Sequence, residues 1–284
     1  MSDSEARGEP LLESLSDSST SQRNPTQKRK RKQGGSEPQP KDAAAAKPSA
    51  KRRKLKKPKD IDDAALDAEL GVNLAVARMD GGLLADHLAQ RTRRFRPELS
   101  LVEMEDLHLP EKAIHDTTAY SSSPRTIDHL PDFLEHFAGS KKRKQGLRTA
   151  PAENGHPHTL VIAGAGLRAA ELARALRKFQ SKDALVAKLF AKHIKLQEAV
   201  ERTRSCRIGI GVGTPQRVID LLEDGALSAV SLERIVIDAS HIDLKKRGML
   251  DMKETLVPLI SLLTRPELKA RYSGRSGRID LLFF

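Results

Sequence analysis

Short apolar runs alternate with helical stretches through the second half of this 284-residue chain, and that alternation restricts the fold more than any other feature. Thr159–Ala163 (TLVIA) precedes a helical stretch at 167–179, and Leu185–Phe190 precedes one at 194–204. Arg207–Val212 (RIGIGV) leads into a helix at 215–222, and Arg234–Asp238 (RIVID) into one at 253–263. Ile279–Phe284 (IDLLFF) is a last apolar run. Runs this short, rich in β-branched residues and without strict polar alternation, suit strands buried on both faces. Helices between them allow the strands to run parallel, so the pattern predicts an α/β lobe of three layers.

The first half lacks this regularity. Residues 1–59 carry Ser, Pro, Lys, Gln and Ala with almost no large apolar side chains, which predicts a disordered tail. From Asp60 the composition changes: Leu66, Leu70 and Leu74 recur at spacing four, acids lead, and Arg91, Arg93 and Arg94 close the stretch. Acids first and bases last match a helix dipole, so 60–98 is expected to be a helical extension broken at Gly71 and Gly81-Gly82. Pro110, Pro124 and Pro131 interrupt 99–137, leaving a short helix near Leu130–Phe137, and 141–158 reads as a basic polar loop.

Charge is concentrated. The net formal charge is +12, and residues 28–59 alone hold fourteen bases against two acids. The rest of the chain is therefore neutral overall, and the excess describes a tail and not a basic globular surface. It gathers in Lys28-Arg29-Lys30-Arg31-Lys32 and in Lys51-Arg52-Arg53-Lys54-Leu55-Lys56-Lys57. Such pairs serve nuclear import, through an import receptor, and non-specific contact with nucleic acid. Ser2 and Ser14 each have an acid three residues on, the spacing of an acid-directed kinase site. One cysteine, Cys206, excludes an internal disulfide and a multi-cysteine zinc site. No run approaches the roughly 18 apolar residues of a membrane span, so no membrane partner is expected.

Three turns carry chemistry. Gly164-Ala165-Gly166-Leu167-Arg168-Ala169 follows the first strand and fits G-x-G-x-x-A, the dinucleotide fingerprint. That fingerprint needs an acid ending the next strand, where Lys192-His193 stand instead. Gly213-Thr214-Pro215-Gln216-Arg217 is a strand end, a Thr-Pro helix start and an Arg one turn inside. Either Thr214 and Arg217 face a phosphate backbone, or Thr214 caps the helix and Arg217 pairs with Asp220. Asp238-Ala239-Ser240-His241 ends the fourth strand; His241 and Asp243 have no further ligand nearby, so neither a metal nor a catalytic set is expected.

In order and spacing these turns resemble the first lobe of DEAD-box RNA helicases, a RecA-like, P-loop-NTPase-type fold. Gly164–Ala173 lies where that family has Pro-Thr-Arg-Glu-Leu-Ala, Thr214–Arg217 where it has Thr-Pro-Gly-Arg, and Asp238–His241 where it has Asp-Glu-Ala-Asp. The resemblance implies RNA-side roles for Gly164, Arg168, Gly213, Thr214 and Arg217. The departures remove the ATP machinery. The chain has no Gly-Lys dipeptide for a P-loop, Ala239 replaces the water-directing Glu, and Phe284 stands where the family continues into Ser-Ala-Thr and a second lobe. Leu99–Tyr120, Leu160–Phe179, Leu189–Val200, Arg207–Leu222 and Asp238–Glu254 are similar to a narrower family, the Cms-one ribosomal small-subunit factors. That similarity implies the nucleolus, pre-ribosomal RNA and small-subunit (90S) pre-ribosome proteins as setting and partners. The expectation is a non-enzymatic assembly factor needing no cofactor. Its alternatives are a cryptic nucleotide-binding or NAD-dependent enzyme, and a chromatin or DNA-replication factor.

Overall fold

In the computed structural model the described residues are 65–120, 123–138, 140–191, 194–274 and 277–284. The tail, with both basic clusters, Ser2 and Ser14, lies outside them. The described chain opens on strands β1 (Leu66–Asp67) and β2 (Val72–Asn73), then helices α1 (Gly81–Phe95), α2 (Leu101–Asp106), α3 (Leu130–Ala138) and α4 (Lys141–Gly146). The alternating part follows: β3 (Thr159–Ile162), α5 (Gly166–Ala175), β4 (Leu185–Leu189), α6 (Leu196–Ser205), β5 (Ile208–Gly213), α7 (Pro215–Glu223), β6 (Arg234–Ile237), α8 (Lys253–Leu263), α9 (Pro266–Lys269) and β7 (Asp280–Phe283).

Five strands form one sheet in the order β4-β5-β3-β6-β7, every neighbouring pair parallel. Alternation along each strand divides the core in two. Leu160, Ile162, Ile235, Ile237, Leu281 and Phe283 face one side, where α1, α6, α7 and α8 bring Leu84, Leu88, Val200, Val218, Leu221, Leu256 and Leu259. Val161, Ala163, Val236, Leu282 and Phe284 face the other, against Phe133, Leu134, Leu172 and Ala173 of α3 and α5. This is the three-layer α/β lobe that the alternation predicts.

The N-terminal expectations need correction. Leu66 to Leu74 is not a helix: β1 and β2 pair antiparallel, with Leu66 opposite Asn73, and Gly71 turns between them at φ +66°. The spacing-four leucines mislead because tertiary pairing sets the backbone here. Val72 bridges to His241, and the Asn73 amide donates to the Ser240 carbonyl at 2.7 Å. The 141–158 segment likewise begins with α4 and is not loop throughout. Asp80 caps α1 by accepting from the Leu83 amide, and Arg93 and Arg94 stand in its last turn; the leading acids Asp60, Asp62 and Asp63 lie outside the described residues.

β7 has its outer edge covered by residues 114–117. Ile114 bridges Leu281, the His115 amide donates to the Leu281 carbonyl at 2.8 Å, and Thr117 Oγ1 donates to the Phe283 carbonyl at 3.3 Å. Covering an edge in this way removes its unpaired amides and carbonyls from aggregation.

His158, just before β3, gives a pH prediction. Its Nδ1 lies 2.8 Å from Thr159 Oγ1 and its Nε2 3.1 Å from the Thr149 carbonyl. Burial, aided by nearby Arg234, lowers its pKa from 6.5 to about 4. The folded state thus binds a proton less readily than the unfolded chain, and stability is full above pH 6.5. It falls by about 3 kcal/mol as the pH drops to 4. Urea titrations of wild type and His158→Asn should show the loss in this window and its flattening in the variant. Parallel pH curves would refute the assignment.

Candidate functional site

All five strands of the main sheet point the same way, so the turns after them gather along one edge, where parallel sheets bind ligands. Register brings them level: Ile162 lies beside both Gly213 and Ile237, and Ile237 beside Phe283. The edge thus carries Gly164, Thr214, Asp238 and Phe284 side by side.

Asp238 is 2% exposed, and both of its carboxylate oxygens are engaged. Arg168, in the first turn of α5, donates from Nε to Oδ2 at 2.8 Å and from Nη2 to Oδ1 at 3.1 Å. Glu171 stands 3.7 Å from the same guanidinium. Burial disfavours the charged Arg168, but hydrogen bonding to Asp238 together with the charges of Asp238 and Glu171 outweighs it and the pKa rises. A two-point guanidinium–carboxylate fork is among the stronger polar contacts a protein makes. The Gly164 turn and the end of β6 are thus locked together through Arg168 and Asp238.

This arrangement does not fit a magnesium–nucleotide pair. A cation would have to displace Arg168 from Asp238. Ala239 offers no carboxylate, and its amide and that of Ser240 both donate to the Phe284 main-chain oxygen at 2.8 Å. The ground beside Asp238 is taken by β2 through Val72 and His241. Burial lowers the pKa of His241, with Arg168 adding to the effect. Asp243 accepts from the Lys245 amide and from the Arg247 side chain at 2.8 Å, so it closes its own turn. Among the described residues no three His, Cys, Asp or Glu side chains cluster as metal ligands.

The two glycines are packing positions. A Cβ on Gly164 would stand 2.9 Å from Met249 Cβ, and one on Gly213 only 2.2 Å from the Leu189 carbonyl oxygen. Arg217 is 8% exposed. Its Nη1 and Nη2 each donate to the Ile194 carbonyl at 3.2 Å, while Asp220 lies 4.0 Å from Nε. Its chief partner is thus the main chain leading into α6, not the acid one turn on. Thr214 sits at the start of α7 with no side-chain capping bond, followed by Pro215 in the first turn. Thr214 shares a shallow depression with Ala165, Gly166, Leu167 and Ala191. The structure thus brings the Gly164 and Thr214 turns together, and spends the guanidinium groups of Arg168 and Arg217 on internal partners.

Sequence reasoning missed Arg125, which is 1% exposed. Its Nη1 donates to the Phe283 carbonyl, and its Nη2 reaches the Thr117 carbonyl at 3.0 Å, Thr117 Oγ1 at 2.9 Å and the Ala77 carbonyl at 3.4 Å. It pins the extension and the edge-covering segment to the end of β7. No local motif marks it.

Protein CMS1 of Chaetomium thermophilum is 57% identical over 234 residues, covering 82% of this chain and 92% of that protein. Protein cms1 of Schizosaccharomyces pombe is 30% identical over 196 residues, 69% of this chain and 68% of that one. Among solved structures, a DEAD box protein from the hyperthermophile Methanococcus jannaschii aligns with a TM-score of 0.34 and 13% identity. That alignment covers 57% of this chain and only 37% of the archaeal one. The family model described as CMS1, U3-containing 90S pre-ribosomal complex subunit, matches residues 16–284, and the chain belongs to that family.

Proposed function

We propose that this chain is a non-enzymatic subunit of the early small-subunit pre-ribosome, a docking module for pre-ribosomal RNA and its protein neighbours in the nucleolus. Family membership supports a role in ribosome biogenesis. The observation that carries the non-enzymatic reading is the Arg168–Asp238 fork. It neutralises the one acidic side chain left in the Asp-Glu-Ala-Asp position and ties it to the turn that faces RNA in helicases. Phosphoryl transfer needs a phosphate cradle, a metal and a group acting on water; Asp238 alone supplies none of these. RNA contact on this edge falls to Thr214 and to the main-chain amides opening α5 and α7, since helix starts favour phosphate. Arg168 and Arg217 shape that edge from behind.

The tail adds long-range attraction and import. Lys28 to Lys32 and Lys51 to Lys57 hold no aromatic residue to stack on bases, so their contact with RNA is electrostatic. The full chain should co-sediment with pre-ribosomal particles and crosslink to their RNA. With magnesium and ATP it should hydrolyse no more than a protein-free control, with or without RNA. RNA-stimulated hydrolysis would overturn the non-enzymatic reading. Removal of residues 1–59 should abolish nuclear accumulation. It should also flatten a salt dependence that spans several decades if about 6–10 phosphates are neutralised. A truncated protein that still reaches the nucleolus and keeps the same salt slope would refute the role of the tail.

A further inference from the structure

A cavity of about 280 Å³ opens between β2, the turn after it, residues 123–125 and Ser240. Its lining includes Asn73, Arg78, Ser123, Arg125 and Ser240, and no carboxylate. Three observations make it more than a gap in packing. Arg125 is buried, and its hydrogen bonds go to carbonyls and one hydroxyl; among the described residues no acid forms an ion pair with it. Its Nε is buried without a partner, and so is Ser240 Oγ. Arg78, exposed to solvent, adds a second positive charge to the lining.

A buried cation with no acid in ion-pair contact, Asp116 acting on it only at longer range, and a buried unpaired hydroxyl each cost folding free energy. Two such costs on one cavity wall, with a second guanidinium beside them, describe a receptacle for an anion. We propose that this cavity is a binding site for a phosphate group, held by Arg78 and Arg125 with Ser123, Ser240 and the Asn73 amide as neutral donors. Asn73 Oδ1 already accepts from the Ala75 amide, which leaves its nitrogen to donate. Planar guanidinium forks are the side chains best matched to phosphate oxygens. The volume of about 280 Å³ admits a phosphate group together with water around it. Two sources share this chemistry, free inorganic phosphate and the 5′-phosphate of an RNA strand. The site stands whether or not the lobe docks on RNA elsewhere.

The test is thermal unfolding of the full chain in rising inorganic phosphate against sodium chloride of equal ionic strength. A second pair of titrations uses a short oligoribonucleotide with and without a 5′-phosphate. Phosphate should raise Tm saturably. At about a hundred times Kd it favours the folded state about a hundredfold, a rise of roughly 5–10 °C. Arg78→Ala should leave the unliganded Tm unchanged and weaken phosphate binding tenfold or more, on the order of one lost charge-assisted contact. Ser240→Ala should keep or raise the unliganded Tm and also reduce the phosphate response. A 5′-phosphate dependence of the RNA titration assigns the site to an RNA end; a response to inorganic phosphate alone assigns it to the free ion. No phosphate response beyond that of chloride, or one unchanged in both variants because it arises in the basic tail, would overturn the proposal.

Discussion

Replacing Arg168 with methionine should cost the folded state about 3–5 kcal/mol, the usual penalty for leaving one partner of a buried ion pair alone. Asp238 is almost completely enclosed, and both of its oxygens take their side-chain hydrogen bonds from Arg168. Methionine fills much of the arginine volume but donates nothing, so the carboxylate loses its counter-charge without regaining water. For a lobe of this size the Tm falls by about 10 °C, at roughly 2–4 °C per kcal/mol. Asp238→Asn should cost less, since Arg168 retains Glu171 at 3.7 Å and one amide oxygen to donate to. The double variant Arg168→Met, Asp238→Leu should recover to within about 1 kcal/mol of wild type, because an apolar pair avoids the desolvation cost altogether. Urea unfolding of wild type, Arg168→Met, Asp238→Leu and the double variant makes the cycle, with Asp238→Asn measured beside it. A single variant as stable as wild type, or a double variant no better than Arg168→Met, would show that the fork is not holding the site. Arg168→Met should gain no ATP hydrolysis either, because exposing one aspartate restores neither a phosphate cradle nor a group acting on water.

The lobe was legible where local pattern and tertiary role coincide. β3, β5, β6 and β7 read directly from runs such as Leu160-Val161-Ile162, because a strand covered on both faces has no polar alternation to confuse it. The order of the three turns was legible for the same reason, as each follows such a strand. Residues 66–74 were not, since leucines at spacing four satisfy a helix on paper while β2 pairs with Ser240 to Ile242 from far along the chain. Arg125 was silent: a lone Arg after a Pro carries no motif, and its partners Phe283 and Ala77 are separated from it by 158 and 48 residues. The roles of Arg168 and Arg217 were visible only as positions. Whether a guanidinium meets phosphate, an acid or a carbonyl depends on what the fold brings within hydrogen-bond reach, and here it brought Asp238 and Ile194.

Gly213→Ala and Thr214→Ala, neighbours in the turn between β5 and α7, should behave oppositely. A Cβ on Gly213 would lie 2.2 Å from the Leu189 carbonyl oxygen and 2.8 Å from Leu189 Cβ. That oxygen accepts the Thr214 amide at 3.2 Å, so the clash strikes the joint between β4, β5 and the start of α7. Relief requires moving main chain in a parallel sheet, not rotating a side chain. The cost should be about 3 kcal/mol or more, at the upper end of overpacking penalties, seen as a large Tm drop or as insoluble protein. Thr214 makes no capping bond through its side chain, so Thr214→Ala should keep stability within about 0.5 kcal/mol. Any loss of RNA crosslinking in Thr214→Ala then reports contact and not unfolding, which makes it the position where the RNA-facing reading can be tested cleanly. A stable Gly213→Ala protein would mean that the glycine is kept for an approaching ligand and not for Leu189. Unchanged crosslinking by Thr214→Ala would move the RNA contact off this edge and onto the tail.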